Sequence, residues 1–148
     1  MSYVVSYHHI IIVTKNRGRT LSHEYSHDLY NYIGAIVKNR SSILFEVNGI
    51  EDHIHLLVRL HPTISLADFV KEVKVATSIW MKSHGKFPDF IGWSPKNGAF
   101  TKSERDFEMI RDYVRNQKSH HAKIDFINEM KSLMQDEKLQ YDEKYFFV

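Results

Sequence analysis

His53-Ile54-His55-Leu56-Leu57-Val58-Arg59-Leu60 alternates polar and apolar residues except at Leu57. In an extended strand, successive side chains point to opposite faces of the sheet. Ile54, Leu56, Val58 and Leu60 therefore make one apolar row, while His53, His55, Leu57 and Arg59 make a half-polar one. The first row calls for a hydrophobic core. The second needs a cover that accepts two imidazoles: a further helix, a second subunit or a substrate.

Working outward, the residues on either side supply the rest of a fold. Tyr3 to Thr14 is aromatic and β-branched and reads as a first strand, followed by a basic turn, residues 15–19. Ser22 is placed as an N-cap, and Tyr25, Leu29, Tyr32, Ile33 and Ile36 recur at helical spacing, which predicts a helix over about residues 23–39. Ile43 to Val47 is a second strand, Asn48-Gly49 is a turn signal, and the pairing continues to Ile50. Ser65 caps a second helix carrying Leu66, Phe69, Val70, Val73 and Trp80 and fading near His84-Gly85. Residues 87–97, with Pro88 and Pro95, read as a loop before a short strand at 98–101. Ser103 caps a third helix with Phe107, Ile110 and Val114 on its buried stripe, and a last helix runs from about 121 to 138. The order β-α-β-β-α-β plus C-terminal helices predicts an α+β, ferredoxin-like antiparallel sheet. No repeat or linker interrupts it, so residues 1–148 are expected to form one domain.

Composition sets bounds. The 148 residues are 43% hydrophobic, enough for a real core, and carry no cysteine, which excludes disulfides and thiolate metal sites. Residues 10–13 are too short an apolar run for a membrane span and lack the flanks of a signal peptide, so no membrane partner and a cytoplasmic location are expected. A net charge of +2 does not by itself argue for nucleic acid, although a local basic stripe is compatible with it. The cations fall into three groups: Lys15, Arg17 and Arg19; Lys71, Lys74 and Lys82; Arg111, Arg115 and Lys118. Trp93, near Lys96, is either a base-stacking platform or a core residue. The apolar tail, residues 145–148, is expected to pack on its own core or on a partner subunit.

Two motifs carry chemistry. His53 and His55 share a strand face, and Asp52 is placed to orient an imidazole. With ten histidines in the chain, the pair alone is a weak signal. Tyr113 and Gln117, four apart, share a helix face at the edge of the Phe107-Ile110-Val114 stripe. Together these four side chains make an incomplete metal site beside a phenol.

The stretch Asp52-His-Ile-His-Leu-Leu-Val58 resembles the histidine-hydrophobe-histidine motif of the single-tyrosine HUH transposases of small bacterial insertion sequences, and Tyr113-Val-Arg-Asn-Gln117 resembles that family's nucleophile helix. His9-Ile-Ile-Ile-Val-Thr-Lys15 and Trp93-Ser-Pro-Lys-Asn-Gly-Ala-Phe-Thr101 are also similar, so four matches run in order from about residue 7 to 118. The resemblance implies a ferredoxin-like fold and a homodimer with sheets joined across the interface, and it leaves two arrangements open: an active site within one subunit, or one that combines the histidines of one subunit with the tyrosine of the other. It implies single-stranded DNA with hairpins as substrate and Mg2+ or Mn2+ as cofactor. One departure is that no glycine directly precedes the nucleophile helix. The segment there is Thr101-Lys-Ser-Glu104, with Gly98 further back, which stiffens the hinge.

On this reading His53, His55 and Gln117 are neutral ligands to the cation, and Tyr113 is the nucleophile that forms a 5′-phosphotyrosine. Imidazole donors alone favour zinc, iron or nickel over magnesium. Neutral ligands, however, leave the charge of manganese or magnesium free to act on a phosphate. Lys15, Arg17, Lys74 and Lys118 are the expected contacts to the DNA backbone. Two alternatives are an HUH nuclease that nicks single strands without moving an element, and a ferredoxin-like nucleic-acid-binding module without catalysis.

Overall fold

A computed structural model of the chain describes residues 3–142, so the tail at 145–148 lies outside the described residues. Its strands are β1 (Tyr7–Thr14), β2 (Ile43–Ile50), β3 (His53–Arg59) and β4 (Trp93–Lys102). Its helices are α1 (Ser26–Asn39), α2 (Leu66–His84), α3 (Phe107–Arg115), α4 (Gln117–His120) and α5 (Phe126–Asp136). The strands form one antiparallel sheet in the order β2-β3-β1-β4. This is the ferredoxin-like arrangement expected from the order of elements.

β1 is buried at every position, as a central strand covered on both faces must be. On one side Ile10, Ile12, Ile54, Leu56 and Val58 pack with Leu29, Ile33 and Val37 of α1 and Phe69, Val70 and Val73 of α2. On the other side, Tyr7 and Leu57 meet Phe107, Ile110 and Val114 of α3, while Ile11, Val13 and Phe100 meet Phe126 and Met130 of α5. The half-polar face is therefore covered by the chain's own C-terminal helices.

Local chemistry explains where the element boundaries depart from the expectations. β1 starts at Tyr7 rather than Tyr3, because Tyr7 pairs with Arg59 at the end of β3. Asn48-Gly49 is not the turn. Both residues lie in β2, and the chain reverses at Glu51-Asp52. A β-carbon at Gly49 would fall 2.1 Å from the His53 carbonyl oxygen, so close backbone approach is what calls for glycine there. β4 is ten residues long, not four, and it includes Pro95. It is an edge strand, and an edge is where a residue without an N–H is tolerated.

The caps also sort themselves. Ser65 Oγ accepts from Asp68 N at 3.1 Å, and α2 ends at Gly85 with φ +71°, as expected. Ser22 and Ser103 instead precede short 3-10 turns at residues 23–25 and 104–106, and neither side chain caps a backbone N–H. α5 begins at residue 126 rather than 121 because Asp125 is its N-cap, accepting from Asn128 N at 2.8 Å.

Candidate metal and nucleophile centre

β3 directs His53 and His55 to the face covered by α3–α5, and the two rings lie 5.1 Å apart. β1 sets His9 beside them. Its Nε2 is 2.8 Å from His55 Nδ1, and the rings stack at 5.0 Å. Asp52 accepts from His53 Nδ1–H at 2.6 Å, the orienting role expected of it. That hydrogen bond turns the lone pair of His53 Nε2 inward.

α3 and α4 bring the second motif. The helix is interrupted at Asn116, but Asn116 N still donates to Asp112 O at 3.0 Å and His120 N to Asn116 O at 2.9 Å, so the helical spacing carries across. Tyr113 and Gln117 consequently share a face. The segment is tied to β2 by Asn48, whose Nδ2 donates to Arg115 O at 2.8 Å and whose Oδ1 accepts from Lys118 Nζ at 2.7 Å.

Both motifs converge on a carboxylate that the sequence reading did not single out, Glu129 of α5, which is 1% exposed. Its Oε2 accepts from the Tyr113 hydroxyl, in a very short hydrogen bond, and from Gln117 Nε2 at 3.0 Å. Its Oε1 lies 2.9 Å from His121 Nε2, 3.2 Å from His53 Nε2 and 3.3 Å from His55 Nε2. The donor atoms of His53, His55, His121 and Glu129 all lie within 4.8 Å of one another. His121 had a signal in the sequence, since Tyr113, Gln117 and His121 recur every four residues. Glu129 had none, because the turn at residues 121–125 separates it from that periodicity.

The electrostatics follow from burial and crowding. Burial lowers the pKa of His55 to about 4 and holds His9 well below its ordinary value. Burial acts the same way on His53, but the hydrogen bond to Asp52 and the negative charge of Glu129 outweigh it and leave the pKa raised. Burial disfavours the Glu129 carboxylate, yet the imidazoles of His121, His53 and His55 around it keep it far below the usual carboxylate range. Burial and the neighbouring Glu129 charge push Tyr113 well above an ordinary phenol.

The donor set fits a cation. A carboxylate oxygen offers two lone pairs, so three ring nitrogens around Oε1 cannot all be satisfied by it. His53 Nε2 is buried without a hydrogen bond, as is Gln117 Oε1.

The expected DNA contacts are scattered. Lys15 and Arg17 are exposed on the turn after β1, and Arg17 joins Arg19, Asp52, His121 and Lys123 around a cleft of about 310 Å³ next to the centre. Lys118 is exposed and held by Asn48. Lys74 lies on α2, in the layer across the sheet, and donates to Ser94 O and Asn97 Oδ1, both at 3.0 Å. Trp93 is half-buried against the margin of the core and donates to Thr77 Oγ1 at 2.9 Å. Among the described residues no helix is long and apolar enough to cross a membrane.

Comparison with known proteins places the chain in a family. No curated protein matches the chain. Among solved structures, a protein assigned as a transposase from Deinococcus radiodurans R1 is 31% identical, with a TM-score of 0.61 over 79% of this chain and 95% of that one. A REP-associated tyrosine transposase bound to a REP hairpin shares the fold at 15% identity, with a TM-score of 0.60 over 84% of this chain and 73% of that one. Residues 2–117, both motifs included, match the family described as "Transposase IS200 like". The chain belongs to the IS200-like transposase family.

Proposed function

We propose that this transposase cuts and rejoins single-stranded DNA at hairpin-marked ends through a 5′-phosphotyrosine on Tyr113. The observation that carries the reading is convergence within one chain: the Tyr113 hydroxyl and the rings of His53 and His55 meet on the same buried carboxylate. The hairpin-bound neighbour supports hairpin recognition.

The hydroxyl of Tyr113 attacks the phosphorus, an O–P bond forms, the P–O3′ bond breaks, and the leaving 3′-oxygen takes a proton. Glu129 Oε2 already accepts the phenolic hydrogen, so this side chain aims the nucleophile. Gln117 fixes the carboxylate from the other side. Because the ester conserves the bond energy, a second 3′-hydroxyl can reverse the step and rejoin the strands. His53 and His55 would hold a divalent cation, Mg2+ or Mn2+, with the unpaired Oε1 of Gln117 as the third donor that the family resemblance implies. Such an ion would neutralise charge developing on the phosphate and favour the phenolate. Lys15, Arg17 and Lys118 would follow the DNA backbone, whereas Lys74, across the sheet, would serve only a strand that wraps round the molecule. The homodimer implied by the resemblance stays part of the reading, with a full set of residues in each subunit.

Incubation with a labelled single strand carrying its flanking hairpin and Mn2+, followed by a denaturing gel, tests the proposal. The expected result is a covalent adduct that Tyr113→Phe lacks while still binding the hairpin. An adduct of equal yield from the variant would remove Tyr113 as the nucleophile.

A further inference from the structure

The family match ends at residue 117, yet two of the four side chains that meet at the centre, His121 and Glu129, lie beyond it. We propose that His121 and Glu129 are metal ligands that, with His53 and His55, form a centre of three nitrogens and one oxygen selective for a transition-metal ion of the manganese-to-zinc series over magnesium. This rests on the functional reading above and deepens it. It replaces the amide of Gln117 by the carboxylate of Glu129 as the oxygen donor.

Three observations carry the inference. First, the distances suit a shared ion. Ligand atoms around a four-coordinate ion with bonds of ~2.1 Å are about 3.4 Å apart. The three imidazole nitrogens lie 2.9, 3.2 and 3.3 Å from Glu129 Oε1. Second, the ligands are oriented from behind. Asp52 holds His53 Nδ1, His9 holds His55 Nδ1, and Gln117 Nε2 holds Glu129 Oε2. Hydrogen bonds of this kind usually back metal ligands and fix which ring nitrogen faces inward. Third, the site is closed and nitrogen-rich, with His53, His55 and Gln117 fully buried. Magnesium prefers oxygen donors and keeps several of its waters, whereas imidazole suits the later ions.

The carboxylate then has two tasks. Oε1 belongs to the ion and Oε2 to the hydroxyl of Tyr113. Glu129 couples loading of the centre to the position of the nucleophile, and Gln117 acts on the ion through it.

The test is calorimetry on the full-length, chelator-stripped protein with MnCl2 or MgCl2, together with the visible spectrum of its Co2+ form. The expected result is one Mn2+ per chain, bound at least about tenfold more tightly than Mg2+, and the intense Co2+ band of a four- or five-coordinate centre. His121→Ala and Glu129→Gln should each weaken Mn2+ at least about tenfold, and Glu129→Asp should restore part of the loss. A weak, octahedral Co2+ band in the parent overturns the proposal without recourse to any variant. Parent-like Mn2+ affinity in both His121→Ala and Glu129→Gln, with loss only in His55→Ala, overturns it while leaving the functional reading intact. Tighter Mn2+ binding by Glu129→Gln overturns it too, because the carboxylate would then be occupying the ion's place. Absence of Mn2+ binding and of covalent adduct in the parent removes the underlying reading itself.

Discussion

The two faces of one sheet are built from alternate residues of the same strands, and they differ in kind. Toward α1 and α2, Ile10, Ile12, Ile54, Leu56 and Val58 make an unbroken apolar contact. Toward α3–α5, His9, His53 and His55 interrupt Ile11, Val13 and Leu57, and the covering helices bring Gln117 and Glu129. Both faces are buried, so burial alone does not distinguish them. The first face releases apolar surface from water and demands nothing further. The second buries polar groups, which is costly unless each has a partner; neighbouring elements supply most of the partners but leave His53 Nε2 and Gln117 Oε1 without one. The lesson is that the stabilising half of this fold is nearly interchangeable with other apolar choices, while the chemical half is specified atom by atom.

The sharpest way to break this contrast is to remove one member from each motif. His55→Ala and Tyr113→Phe should each abolish covalent adduct formation with a hairpin single strand, while circular dichroism shows the fold retained. An equimolar mixture of the two variants should stay inactive, because the tyrosine meets the histidines of its own chain. Adduct formed by the mixture would show that Tyr113 also reaches the histidines of a partner subunit.

On the other face the effect should appear in stability. Leu56 is fully buried, and Leu56→Ala should cost about 2–5 kcal/mol in urea unfolding. A cost near zero would mean that the apolar layer is not what holds the sheet together.

Acid should discriminate between the faces, since the apolar one has little to titrate. His55 is lowered to about 4 by burial, against ~6.5 in the unfolded chain. Between those values the unfolded state binds more protons, so stability rises with pH and is lost as pH falls from ~6.5 to about 4. In metal-free protein this loss should amount to about 3 kcal/mol from His55. His9 acts in the same direction, and His53, whose pKa is raised, in the opposite one. His55→Asn should flatten the dependence in pH-resolved thermal melts, and an unchanged slope would contradict the assignment.

The smallest expected effect lies farthest from the chemistry. Ser65→Ala removes the N-cap of α2 and should cost about 1 kcal/mol without altering adduct yield. A fall in adduct yield would show that the α2 layer reaches the centre.

Much of this could be read from the residues before any coordinates. The alternation in β3, the Ser65 cap and the Phe107-Ile110-Val114 stripe each state a local preference, and the structure follows them. The misreadings came where tertiary surroundings overrode a local signal. Pro95 marks a loop only if the strand is not at an edge, and Asn48-Gly49 marks a turn only if the glycine is not needed for close approach to His53. Glu129 escaped because an acidic residue on an amphipathic helix is normally solvated, and nothing local distinguishes it from Glu137.

The order of residues by itself determined which side chains share a face: His53 with His55 by the two-residue period of a strand, and Tyr113 with Gln117 by the turn of a helix. Those periods are short-range geometry, fixed by the backbone. Only the tertiary structure decided that the two faces meet, and that they meet on Glu129 and His121. Such convergence depends on how the turn at 121–125 returns α5 across the sheet. A distance between segments so far apart in the chain, 74 residues for His55 and Glu129, is set by packing, and no local spacing encodes it.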